Sequence, residues 1–303
     1  MRPKPQGRAQ SVMIEQLFSI VAPVYLCVAV GFVWRRIGRP IDNSLIADLC
    51  MNLGAPCLVF SSLVSNSIDL RALADVSIVV LAAFVIFGLV GYTGLRAAKL
   101  STTSYLAPII FPNTGNLGLP ICLFAFGDEG LLYGVVFFAL TSVIQFTIGQ
   151  WLWSGDASVG QLARTPLVYA VVAACLVIAT GTEVPDFVLR TTRSIGGITI
   201  PLMQFTLGVS LATLKVSRLP LSVALGAWRL AMGFAVGVGL SELFGLEGVI
   251  RGVVILDCAM PAAVINYLFA EKYGRDSEAV AGVVVASTTM SLVALPLILA
   301  WLL

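Results

Sequence analysis

Apolar stretches of membrane-crossing length, each closed by charges or turn residues, follow one another from residue 17 to residue 302. A helix needs about 20 predominantly apolar residues to cross the hydrocarbon core of a bilayer. Stretches of that kind fall at 17–34, 43–64, 75–97, 104–126, 130–153, 166–182, 187–214, 220–244, 249–271 and 279–302. The pattern predicts an all-α polytopic membrane protein of about ten transmembrane helices joined by short linkers. The first stretch follows a basic N-terminus, as in a signal peptide. It is long, however, lacks a small-residue cleavage pattern and closes on Arg35 and Arg36, so it reads as a spanning helix.

The pattern also recurs within the chain. Pro56 and Pro201 stand 145 positions apart, each inside an apolar stretch, and Leu123-Phe124-Ala125 returns as Leu268-Phe269-Ala270 at the same offset. Both triplets precede a short charged turn. Five helices per half, an odd number, turn the second half upside down. The reading is two inverted five-helix repeats, 1–153 and 166–303, joined by a short cytoplasmic linker, 154–165; such repeats are typical of secondary transporters. Lys and Arg in the loops set the direction of insertion. With the N-terminus outside, Arg35, Arg36, Arg39, Arg96, Lys99, Arg164, Lys215, Arg218, Lys272 and Arg275 face the cytoplasm, against Arg2, Lys4, Arg8, Arg71, Arg190, Arg193 and Arg251 on the other side. The excess predicts a multi-pass protein of the cell membrane, in a bacterium the inner membrane, with both termini non-cytoplasmic.

Composition narrows the chemistry. Only 11% of the residues are charged, 58% are hydrophobic, and mean hydropathy is +0.98. A soluble domain carries about 25% charged residues, so lipid must cover most of this surface. A net charge of +2 without a Lys/Arg tract argues against a nucleic-acid partner. His is absent, which removes the commonest metal ligand and the usual near-neutral acid–base group. Six cysteines sit singly in apolar runs and read as small buried hydrophobes. No metal, cofactor or disulfide framework is expected.

Two stretches cannot be continuous helices. The fourth contains Phe111-Pro112-Asn113-Thr114-Gly115-Asn116-Leu117-Gly118-Leu119-Pro120, and the ninth contains Asp257-Cys258-Ala259-Met260-Pro261, followed by Asn266. Proline removes a donor and clashes with the preceding turn, and backbone groups freed at membrane depth need a partner from protein, water or ligand. At an offset of 145, Pro261 falls opposite Asn116, which puts the two breaks at one place in their halves. The N-terminus of the second half of each broken helix carries unpaired N–H groups and partial positive charge. Two such ends at the midplane make an anion site without Lys or Arg. Asn113, Thr114, Asn116 and Asn266 are then candidate substrate ligands, with Asn52, beside Pro56, as a further one. The plainer alternative is that these are proline kinks capped by asparagines.

Asp48, Arg229 and Asp257 lie inside spanning stretches, where ionisable residues line cavities or pair with each other. Asp257 is a candidate for coupling transport to protons, and Asp48 is the alternative. A permanent pair between Arg229 and one of these acids is the structural alternative.

Asn113–Pro120, Ala259–Gly274 and Asn52–Leu63 resemble the signature segments of the auxin efflux carrier family, over the whole chain in length and helix count. The resemblance implies crossed, discontinuous helices 4 and 9, in a scaffold-and-transport-domain arrangement similar to bile acid/sodium symporters. It implies a small organic anion as substrate: auxin in plants, dicarboxylates in bacteria. By the family pattern the crossing residues are Pro112 and Asn113 in the fourth helix and Met260 and Pro261 in the ninth. The chain departs from the plant members in having only about a dozen residues between helices 5 and 6, which is similar to a compact bacterial member.

The expectation is therefore a carrier of a small carboxylate, dicarboxylate or auxin-like acid, working by alternating access. Its expected partners are that anion and the bilayer, with a homodimer left open. A sodium-coupled, bile-acid-like symporter and a non-transporting membrane sensor are the competing readings. An enzyme is not expected, because neither a nucleophile motif nor a metal-ligand set is present.

Overall fold

The computed structural model describes residues 5–65, 70–155 and 165–303. Most of the linker expected at 154–165 lies outside them. An apolar chain inside a bilayer has no water to serve its backbone, so it closes its own hydrogen bonds as helix. Eleven helical runs result among the described residues: α1 (Pro5–Arg36), α2 (Asn43–Ser65), α3 (Leu70–Ala97), α4 (Thr102–Ile110), α5 (Thr114–Ser154), α6 (Pro166–Thr180), α7 (Asp186–Thr213), α8 (Leu219–Leu243), α9 (Gly248–Cys258), α10 (Ile265–Lys272) and α11 (Ser277–Leu302). Seven of them contain a span long and apolar enough to cross a membrane: α1, α2, α3, α5, α7, α8 and α11. Several starts carry a capping side chain or a first-turn proline. Asp42, Ser101 and Asp276 accept from Leu45 N, Ser104 N and Ala279 N, and Pro166 and Pro220 occupy first turns.

The helix α5 is 41 residues long. At about 1.5 Å per residue that is roughly twice the hydrocarbon thickness. Gly127 divides it, with φ 66° and ψ −153°, a conformation closed to residues with a side chain. The limbs 114–126 and 128–154 meet there.

The helices sort into two bundles by their contacts. In one, α1 packs along α7, and α2 packs on α6 and α7. In the other, α8 packs on α9 and α11, α4 on α3, and α5 on α9. The α1–α7 seam is tight. A Cβ on Gly31 would strike the Phe205 carbonyl, and one on Gly208 would strike the Val28 carbonyl. Small residues allow such approach where no hydrophobic force drives helices together in lipid.

The interruptions between α4 and α5 and between α9 and α10 are paired with each other. Asn113 N donates to Pro261 O at 2.7 Å, and Ala263 N donates to Phe111 O at 3.0 Å, one antiparallel bridge centred on Pro112 and Ala262. Extended backbone at this depth is satisfied by extended backbone. The remaining groups of the second interruption are met from outside it. Arg229 of α8 donates to Cys258 O at 2.9 Å, Ser287 of α11 accepts from Ala262 N at 3.1 Å, and Asn266 Nδ2 donates to Ala263 O at 3.0 Å.

The bridge sets Pro112 opposite Ala262, 150 positions on, and Asn113 opposite Pro261, whereas the Leu-Phe-Ala triplets are 145 positions apart.

Candidate functional site

A cavity of about 120 Å³ lies where the paired interruptions meet α2, α7 and the second limb of α5. Three short π-helical turns, Cys50–Gly54, Thr114–Gly118 and Gln145–Gly149, each lend it residues. In each, the closing N–H reaches back five residues: Ala55 to Cys50, Leu119 to Thr114, and Gln150 to Gln145. Turns of this kind concentrate at functional sites, because they loosen the backbone ladder and re-aim side chains.

Asn113 sits at the head of α5 as its N-cap, 4% exposed, and its Oδ1 accepts from Asn116 N at 3.3 Å. Its Nδ2 is buried without a partner. The first N–H groups of a helix have no intrahelical acceptor, and at this head Thr114, Gly115 and Asn116 all line the cavity. Ala263, Val264 and Ile265, at the head of α10, line it too. Two half-helix N-termini thus face one space, each with partial positive charge. On the far wall Thr141 Oγ1 is buried and unpartnered, Asn43 Nδ2 donates to Ser210 Oγ at 3.0 Å, and Asn43 Oδ1 is left free. Among the described residues no Asp, Glu, Lys or Arg lines the cavity.

Of the residues chosen from sequence, Pro112, Asn113, Thr114 and Asn116 line the cavity. Met260 and Pro261 are buried behind it in the bridge. Asn266 is fully buried, and its amide is spent on Ala263 O and on a 3.5 Å contact from Gln145. Asn52 is exposed and away from the cavity; Asn43, nine residues earlier, takes its place. Asp48 is exposed near the start of α2. The residues not foreseen are Asn43, Thr141, Ser142, Gln145, Thr206 and Ser210. Thr141 and Gln145, and Thr206 and Ser210, are spaced i, i+4, so each pair marks one face of an otherwise apolar helix. That spacing is the signal in the sequence.

Asp257 lies behind the cavity wall, with no exposure. Its Oδ2 is 4.0 Å from Cys122 Sγ, and its Oδ1 has no partner. It fills the space left by the missing side chain of Gly118, where a Cβ would strike Oδ1. Asp257 therefore touches the back of the turn whose front lines the cavity. Arg229 is equally buried, but it is not its partner. The guanidinium lies 4.8 Å from the Phe87 ring, bonds Cys258 O, and leaves Nε and Nη1 unpartnered. The ion pairs among the described residues are Arg190–Asp186 and Arg251–Glu242, so the pair between Arg229 and an intramembrane acid, the structural alternative, is not among them.

A family described as membrane transport protein matches the chain in two stretches, residues 16–158 and 156–299, which together cover nearly its whole length. An uncharacterized transporter of Methanocaldococcus jannaschii is 23% identical over 92% of this chain and 96% of its own length. Another, from Methanothermobacter thermautotrophicus, is 24% identical over 91% and 95%. An uncharacterized transporter of Saccharomyces cerevisiae is 25% identical over 48% of this chain and 27% of its own.

Proposed function

The chain belongs to the membrane transport protein family, that of the auxin efflux carriers, and from this premise we propose that it is a secondary carrier for a small organic anion, bound between the two broken helices. It is a multi-pass membrane transporter and not an enzyme. The finer reading has ten transmembrane helices in two inverted repeats, 1–153 and 166–303. Three things support it: the division of α5 at Gly127, the joining of α4 to the first limb of α5 and of α9 to α10 as two-piece helices, and the apolar α6.

The observation that carries the anion reading is the Asn113 amide. A buried N–H group without an acceptor costs about 1–3 kcal/mol. This one lies at a helix head, on the wall of a cavity. A carboxylate there would accept from Asn113 Nδ2 and from the N–H groups of the half-helix, charge-assisted bonds in a dry setting. The absence of a charged residue from the lining favours a monocarboxylate over a dicarboxylate, since nothing would neutralise a second charge. The cavity volume disfavours a steroid; sites for ligands of that size run to about 300–1,000 Å³. Alternating access would come from the two bundles moving past each other, since the cavity lies between them. Asp257 is the coupling candidate that the geometry favours over Asp48, because it touches the cavity-lining turn.

The test is a thermal-stability panel on the purified protein with acetate, benzoate, indole-3-acetate, malonate and malate. A ligand that binds only the folded state raises apparent stability by mass action. Monocarboxylates should raise Tm, dicarboxylates less, and the shift should vanish in Asn113→Ala protein. A panel without any shift, or shifts untouched by Asn113→Ala, would remove the anion site.

A further inference from the structure

A second cavity, of about 340 Å³, has a polar wall of Ser61, Ser65, Asp128 and Arg193. It lies on the same three helices as the central one. The central cavity touches Met51 of α2, Phe138 of α5 and Met203 of α7, and the second touches Leu58, Leu131 and Gly197 of the same helices. Each step is six or seven residues, or about 10 Å along an axis. Because α2 runs opposite to α7 and to the second limb of α5, all three steps point the same way. On the wall of the central cavity Gly115 is packed against Met203 and Phe138, where a Cβ would come within 2.7 and 2.9 Å of their side chains. The two spaces stand about two turns apart along the same three helices.

Of the two cavities, the second is the one lined by charged residues. Arg193 and Asp128 are exposed there and make no ion pair with each other, and they belong to different bundles. Ser65 Oγ is buried and unpartnered beside them. Arg presents a planar fork of donors that matches a carboxylate, and a cation in a confined mouth concentrates anions.

We propose that the two cavities are successive stops of the substrate and that this one is a docking station for its carboxylate, with Arg193 as the binding residue and Asp128 as the opposing charge that keeps the anion from being held too tightly. The inference rests on the anion reading above and adds a second site to it. Substitutions of the two residues should therefore act with opposite sign, whereas a merely structural pair would give effects of the same sign.

Gly197 supplies the reporter. It is exposed, one turn from Arg193, and an added Cβ meets nothing within 4 Å. In otherwise cysteine-free protein carrying Gly197→Cys, labelling rates with an anionic and a cationic methanethiosulfonate give a ratio that reads local charge. Arg193→Gln should lower the anionic-to-cationic ratio about three- to tenfold, and Asp128→Asn should raise it. Benzoate should slow labelling when Arg193 is present and not in Arg193→Gln protein. That protection should persist in Asn113→Ala protein, which separates this site from the central one. Equal ratios in all variants, shifts of the same sign, or benzoate protection that survives Arg193→Gln and disappears with Asn113→Ala would each overturn the inference.

Discussion

Asn113 and Asn266 are the same residue type at the heads of the two half-helices, yet they do different work. Asn266 has both ends of its amide occupied by protein, at Ala263 O and Gln145. Asn113 keeps its Nδ2 free on the cavity wall. Asn113→Ala should therefore weaken carboxylate binding about 10- to 100-fold, the loss of one charge-assisted hydrogen bond in a dry site, and should lower Tm only by the loss of its cap on Asn116 N, about 0.5–2 kcal/mol. Asn266→Ala should lower Tm with affinity nearly kept, because its amide is spent on Ala263 O and Gln145 and not on the cavity. Titration calorimetry and thermal unfolding on both proteins check the pair; equal affinity losses would show that Asn266 also reaches the ligand. Asn116 is half-buried at the cavity and should behave like Asn113. None of this contrast is visible in sequence, where each asparagine follows a proline in a broken apolar stretch. What was legible was that the breaks needed polar residues. Which amide is spent internally depends on Ala263 and Gln145, and the chain brings Gln145 within reach only by folding over 121 positions.

The elements were more legible than their joints. Stretches read at 104–126 and 130–153 part at Gly127, the first taking in α4 and the first limb of α5 and the second matching the second limb, because length and apolarity dictate helix in lipid. The three π turns were not legible, since no residue type encodes the extra residue of such a turn. Nor was the bridge between the two interruptions, because the apolar pattern does not say which backbone groups meet. Close helix seams left a weak trace as scattered glycines. The α1–α7 seam gives a test at this scale: Gly31→Ala puts a methyl group onto the Phe205 carbonyl. It should cost about 1–3 kcal/mol as overpacking and lower Tm. An unchanged Tm would show that α1 slides freely along α7.

For the whole molecule the open questions are direction and driving force, and the buried charges bear on both. The excess of Lys and Arg in alternate loops predicts that Glu183, between α6 and α7, lies outside and Arg39, between α1 and α2, lies inside. In a cysteine-free background, an impermeant thiol reagent on intact cells should label Glu183→Cys and spare Arg39→Cys; the opposite result inverts the topology. Asp257 is the proposed coupling residue. A fully buried carboxyl group with a free oxygen and no ion pair is tolerable as the neutral acid or with a cation beside it. Its contact with Gly118 ties that choice to the turn carrying Thr114, Gly115 and Asn116, so gaining or losing a proton would press on the substrate site from behind. Arg229 is engaged elsewhere, on Cys258 O and Phe87, so Asp257→Asn breaks no ion pair and should leave the fold intact. The prediction is that reconstituted wild-type protein transports benzoate faster under an imposed inward proton gradient. Asp257→Asn protein should still be stabilised by benzoate but should ignore the gradient. A wild type that ignores the gradient would exclude Asp257 as the coupling residue. Transport would then be electrogenic and driven by the membrane potential, about 2.3 kcal/mol per charge per 100 mV. If Asp257→Asn fails to fold and Arg229→Met restores it, the two side chains are coupled in another state of the cycle, and Asp257 is a structural counter-charge.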